Sequence, residues 1–171
     1  MRVIFLDVDG VLNSVRSTVA LQVQWPSAEE EKMLDPIAVK LLQQLCKETN
    51  AKIVISSTWR QGRTINDFEE IFKYYGWDNF PIIGVTPKMH AVRGVEIANW
   101  LQAYNSVTTN EPIESYVILD DSTDMLDSQK TNFVWVSLQD GFSLADYVTA
   151  IRILDPNHSC LSPLHLGGYI K

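Results

Sequence analysis

Asp7 and Asp9, separated by Val8, close the apolar run over residues 3–6, and Gly10 follows them. Later apolar runs stop as abruptly: Lys52–Ile55 ends at Ser56 and Ser57, and residues 116–119 end at Asp120 and Asp121. Brought to one rim, these groups make a site rich in acid and hydroxyl. Carboxylates gathered without a cation repel one another and resist ionisation. A divalent ion with hard oxygen ligands answers that charge, and magnesium, which keeps part of its hydration shell, suits a few carboxylates plus waters and a phosphate oxygen. The tighter ligand spacing of a helix–loop–helix calcium site is not found.

These residues need a scaffold that gathers strand ends. The runs over 3–6, Lys52–Ile55 and 116–119 are continuously apolar, the pattern of strands covered on both faces. Residues 133–136 and 81–85 are weaker strand candidates. Helical spacing of apolar residues appears over Pro36–Thr49 (Ile37, Leu41, Leu42, Leu45), 64–75, 94–104 and Leu144–Leu154, and Pro36 suits a first helical turn. Strands alternating with helices predict right-handed crossovers and an α/β fold with a mostly parallel, doubly wound sheet. Ligands of such sheets bind beyond the carboxyl ends of the strands, which is where Asp7, Ser56, Asp120 and Asp121 fall. The strand order is not legible. Two stretches read as irregular. Residues 13–35 contain Trp25, Pro26 and the acidic Glu29, Glu30 and Glu31, with room for only a short helix; a flap over the crevice and a plain surface loop both fit. The tail 155–171 carries Pro156, Pro163, Gly167 and Gly168.

The chain has 171 residues, 46% hydrophobic and 20% charged, which suits one globular domain over 1–171 with a proper core. Its 14 basic and 21 acidic residues give a net charge of −7. That balance argues against a broad electrostatic footprint for duplex nucleic acid and leaves a local basic site open. No apolar run approaches the ~20 residues that span a bilayer, and MRVIFLDVDG lacks the layout of a signal peptide. A cytoplasmic protein without a membrane partner is expected. Cys46 and Cys160 make neither a disulfide framework nor a zinc pattern, and His90, His158 and His165 have no metal-ligand spacing.

DVDGV at 7–11, the strand ending ISS at 55–57, a basic residue before a helix, and ILDD at 118–121 resemble, in order, the motifs of the haloacid dehalogenase (HAD) superfamily of phosphohydrolases. The resemblance runs to about Asp124. DxDG by itself is weakly specific; its place after an apolar strand, with a serine and a double aspartate at two later strand ends, makes the combination specific. The fuller phrases FLDVDGVLNS, IVISSTWR, IGVTP, RGVEIANWL and VILDD are similar to small, nearly capless domains of nucleic-acid repair proteins. Some of those act like the 3′-phosphatase half of bacteriophage polynucleotide kinase.

The resemblance implies a three-layer α/β/α, Rossmann-like HAD fold with a minimal cap, and it implies roles. Asp7 becomes the nucleophile and forms an aspartyl-phosphate, Asp9 carries the proton, and Gly10 lets the backbone bend between them. Ser56, with Ser57 beside it, binds a phosphoryl oxygen. Arg93, just before the GVEIANWL stretch, neutralises the phosphoryl charge, with Lys88 of TPKMH as its rival. Arg60 contacts the substrate beyond the reacting phosphate or makes a surface ion pair. Asp120 and Asp121 anchor magnesium with Asp7 and the Asp9 backbone carbonyl; which of the pair touches the ion directly stays open. Asp124 and Asp127 cap or solvate the segment after ILDD, Asp124 alternatively supporting the metal from behind. Trp59 reads as packing, with base stacking as its alternative, and Arg16 and Arg63 read as surface charges.

Residues 13–35 are too few for a large cap, which implies an open crevice and a large substrate. The expected function is a magnesium-dependent phosphomonoesterase working through an aspartyl-phosphate on polynucleotide or nucleotide phosphate ends. A phosphatase for phosphoproteins or small phosphometabolites is the alternative. A receiver-like phospho-accepting module would place its acidic pair at the first strand and a single aspartate at the third, the reverse of the order here.

Overall fold

The computed structural model describes residues 1–22, 33–89, 92–107 and 111–159. Trp25, Pro26, the acidic Glu29 to Glu31, His90, Cys160, His165 and the tail from residue 160 lie outside the described residues. Five strands, β1 (Arg2–Leu6), β2 (Lys52–Ile55), β3 (Ile82–Val85), β4 (Ser115–Asp120) and β5 (Phe133–Trp135), form one sheet in the order β3-β2-β1-β4-β5. Every pairing is parallel, so the sheet expected to be mostly parallel is wholly so among the described residues.

The helices follow from how the strands are buried. One face of the sheet, with Ile4, Leu6, Ile53, Ile55 and Leu119, is covered by α2 (Pro36–Thr49), α3 (Ile65–Tyr74) and α5 (Leu144–Leu154) through Leu42, Leu45, Phe68, Phe72 and Ile151. The other face, with Val3, Phe5, Val54 and Ile118, packs on α4 (Arg93–Asn105) through Ile97, Trp100 and Leu101. Right-handed crossovers require this division: chain stepping from β1 to β2 to β3 leaves its helices on one face, and chain returning to β4 leaves its helix on the other. The result is the three-layer α/β/α arrangement.

Local signals set the helix ends. Asp35 accepts from Ile37 N–H at 2.8 Å ahead of Pro36, and Thr64 with Asp67 and Ser143 with Asp146 form capping boxes at α3 and α5. Within residues 13–35 the short helix is α1 (Val15–Leu21), started by Ser14 and Ser17. Its flanks are not loose: Asn13, Ser14, Met33, Leu34 and Asp35 are buried, and Asp35 N–H reaches Leu12 O at 2.6 Å. Residues 58–60 and 127–132, read without regular structure from sequence, are 3₁₀ turns.

Candidate active site

Alternation along a strand carries the polar row. Val3 and Phe5 face α4, and so Asp7, one alternation further, faces α4 as well; Val54 leads in the same way to Ser56, and Ile118 to Asp120. The ladder continues through these residues: Ser56 N–H donates to Leu6 O at 2.9 Å and Asp7 N–H to Leu119 O at 3.0 Å. Ser56, Asp7 and Asp120 therefore stand in one lateral row at the carboxyl ends of three adjacent strands.

α4 starts above that row. Arg93 Nη1 lies 2.8 Å from Asp120 Oδ2 and 3.2 Å from Asp7 Oδ1. Its position is fixed from both sides. Arg93 N–H donates to Asp124 Oδ2 at 2.9 Å, and Gly94 N–H to Asp124 O at 3.2 Å, so Asp124 caps α4 from another element. Gly94 has no room for a β-carbon, which would run into Gln129 Oε1 and the Leu126 backbone; this close approach seats the helix start on the loop after β4.

Three carboxylates, those of Asp7, Asp120 and Asp121, have oxygens within 4.8 Å of one another. One guanidinium faces them. Burial, followed by the nearby charge of Asp7, pushes Asp120 up to about 7 despite Arg93, and the same two causes raise Asp121. Burial works against the charged form of Arg93, but Asp7 and Asp120 outweigh it and hold its pKa above the ordinary value. The surplus of negative charge, all of it on hard oxygen donors, fits a divalent ion such as magnesium. Gly10 sits in the left-handed region at φ 76°, and a β-carbon there would overlap the Asp121 carboxylate. The glycine of DVDGV is what lets the loop after β1 pass over Asp121.

Ser56 is fully buried, and its Oγ has no hydrogen-bond partner. A buried hydroxyl left unpaired costs roughly 1–3 kcal/mol, so such groups point to an external partner. Ser56 stands in the lateral row next to Asp7, where a phosphoryl oxygen would supply that partner.

The model of the family of HAD domains in Swiss Army Knife RNA repair proteins matches residues 3–147. This chain belongs to that family. No curated protein and no solved structure gives a match. The matched span of the HAD domain runs from β1 into α5 and includes every motif residue discussed here, extending past the Asp124 limit read from sequence.

Within the HAD domain the remaining site residues separate. Asp9 lies outside the carboxylate trio; its Oδ1 accepts from Asn13 Nδ2 at 2.9 Å and its Oδ2 from Trp59 Nε1 at 2.8 Å. Trp59 is thus tied to the candidate proton carrier, a contact that the packing reading did not contain. Lys88 is exposed and donates to Gln61 Oε1 at 2.6 Å, while Arg93 holds the carboxylates. Ser57 Oγ accepts from Trp59 N–H at 3.3 Å, a local cap.

Arg60 corrects an expectation. The surface ion pair read as one alternative is instead a buried one with Glu96, for Arg60 is 9% exposed and turned inward. Its Nη1 donates to Ser56 O at 2.7 Å and Ser57 O at 2.6 Å, its Nε to Thr86 O at 2.9 Å, and its Nη2 pairs with Glu96 Oε2 at 2.5 Å. Free carbonyls past the ends of β2 and β3 need donors, and a planar fork with five N–H groups meets them while pairing with α4. Burial lowers its pKa against the pull of Glu96. Arg60 therefore braces the loop that carries Ser56. Asp127 pairs with Lys130 at 2.7 Å on the surface.

Beside Asp9 lies an open depression of about 450 Å³, walled by Gly10, Asn13, Val15, Thr18, Met33 and Leu138. A larger one, about 710 Å³, lies around Lys47, Lys52 and Trp77 by the start of β2, away from the carboxylates. Among the described residues, only α1 stands between β1 and α2, and no helix is long and apolar enough to cross a membrane.

Proposed function

We propose that this HAD domain is a magnesium-dependent phosphomonoesterase that works through an aspartyl-phosphate and acts on polynucleotide or nucleotide phosphate ends. The observation that carries the reading is the convergence of Asp121 and Arg93 on Asp7 and Asp120, which share their lateral row with an unpartnered Ser56 hydroxyl.

Asp7, Asp120 and Asp121, with the Asp9 carbonyl, would hold magnesium, which when bound neutralises the carboxylates and the phosphoryl oxygens. The ester phosphate enters with one oxygen on the Ser56 hydroxyl and its charge against Arg93. An Asp7 carboxylate oxygen bonds to phosphorus as the ester P–O bond breaks, and Asp9 gives its proton to the leaving oxygen. Water then bonds to phosphorus and passes a proton to Asp9, and the Asp7–phosphorus bond breaks to release phosphate. Splitting one displacement into two lowers each barrier. The short span between β1 and α2 and the open depression beside Asp9 favour an extended leaving group, and the RNA-repair setting of the family favours a polynucleotide end.

The test is hydrolysis of an aryl phosphate with and without magnesium, by the parent and by Asp7→Asn. Parent turnover that needs the metal and vanishes in the variant is expected; a variant as active as its parent rejects the mechanism. Faster turnover of sugar phosphates than of 3′-phosphorylated oligonucleotides overturns the polynucleotide assignment.

A further inference from the structure

Asp9 lies past the end of β1, so no ladder bond orients it. Two N–H groups do. Asn13 Nδ2 donates to Oδ1 at 2.9 Å, and the indole Nε1 of Trp59 donates to Oδ2 at 2.8 Å. The Asn13 amide is itself oriented, because its Oδ1 accepts from Gly10 N–H at 2.8 Å and turns its Nδ2 toward Asp9. The indole is seated by its own loop. The Trp59 carbonyl accepts from Arg63 Nη1 at 2.9 Å, the Arg63 guanidinium lies 5.0 Å from the ring centroid, and Trp59 is 7% exposed.

A carboxylate oxygen offers two acceptor sites. With one on each oxygen taken, one site per oxygen remains, the direction of both is set, and a proton can travel only along one of those two lines. Transfer between heavy atoms needs hydrogen-bond reach and alignment.

We propose that Trp59 is a positioning residue for proton transfer by Asp9: the indole N–H holds the carboxyl group so that one of its two free acceptor sites faces first the leaving oxygen and then the hydrolytic water. The proposal rests on the phosphatase reading above. When the ester P–O bond breaks, its electron pair stays on the leaving oxygen, which takes the Asp9 proton; in the second step the water proton returns to Asp9. The indole keeps its own proton throughout.

Trp59→Phe removes the N–H and keeps an aromatic ring, and replacing Trp59 by its benzothiophene analogue removes the N–H with almost no change of shape. Both are compared with the parent in kcat/KM, which reports the steps through departure of the leaving group, on an alkyl phosphate and on nitrophenyl phosphate. The alkoxide needs a proton to leave; the nitrophenolate does not. A loss of about tenfold to a hundredfold on the alkyl ester, with the nitrophenyl ester within about twofold, is expected of both variants. Equal losses on the two esters, no loss on either, or a loss in Trp59→Phe that the benzothiophene analogue does not share overturns the positioning role while the phosphatase reading stands. A parent inactive on both esters overturns both.

Discussion

Asp7 faces a guanidinium at 3.2 Å and belongs to a cluster of three carboxylates, whereas Asp9, two residues on, is held at 2.8 Å and 2.9 Å by an indole and an amide. One loop thus carries two identical side chains in unlike surroundings. The first is governed by charge, and on the proposed function what completes it is a cation. The second is governed by direction, since neutral donors fix where a carboxyl group points without cancelling its charge. A nucleophile and a proton carrier need those two kinds of control.

The comparison can be broken most forcefully at its first member. Asp7→Asn is expected to lose about a thousandfold or more in turnover of alkyl and aryl phosphates alike, whereas Asp9→Asn spares kcat/KM for the nitrophenyl ester relative to the alkyl ester; equal profiles in steady-state assays would erase the distinction. Next comes Arg93→Met. It removes the cation facing the cluster, so turnover falls about a hundredfold, while magnesium binds about tenfold more tightly because a positive neighbour is gone. Opposite signs in a phosphatase assay and a titration calorimeter are the expected outcome.

A smaller effect is expected at the hinge beside the two aspartates. Gly10→Ala forces a side chain into the left-handed region and against Asp121, costing about 1–3 kcal/mol in denaturant unfolding and weakening magnesium binding, with Asp9 left on its donors. The smallest effect tests burial without a partner. Cys46, on the buried face of α2, has its thiol pKa raised by burial well above the ordinary value, so the thiolate is suppressed and Cys46 in the folded protein resists alkylation up to about pH 9. Cys46 of unfolded protein is expected to label at once, and labelling of Cys46, read by peptide mapping, in the folded state at pH 8 would contradict the burial.

Much of the fold and of the acidic rim is legible in the sequence, and the reasons are local. Pro36–Thr49 and Leu144–Leu154 match from end to end because apolar period and capping residue agree at Asp35 and Ser143. The rim is legible because strand-end positions obey alternation. β4 extends past 119 because Asp120 stays in the ladder, accepting from Val136 N–H at 2.9 Å, and α4 starts at Arg93 because Asp124, in a different element, caps it. Trp59 packs as read, but its contact with Asp9 and the inward turn of Arg60 escape sequence reasoning for one shared reason. Side-chain direction on a 3₁₀ turn is decided by partners that lie 50 residues away for Trp59 and 36 for the Arg60–Glu96 pair. A signal exists: STWR directly follows Ser56 at the end of β2, so its side chains cannot lie far from the rim. Asn13 is legible in principle as a polar residue closing the loop that begins at Asp9, its Oδ1 accepting from Gly10 N–H three residues back.

The lateral row has an implication for folding. A slip of one residue in the pairing of β1 would turn Asp7 toward α2 and bring Leu6 or Val8 up beside Ser56 and Asp120. No partly aligned sheet retains a diminished version of the cluster. On the proposed function, magnesium uptake during refolding should therefore appear only once the central strands have locked, and the ion would report strand alignment.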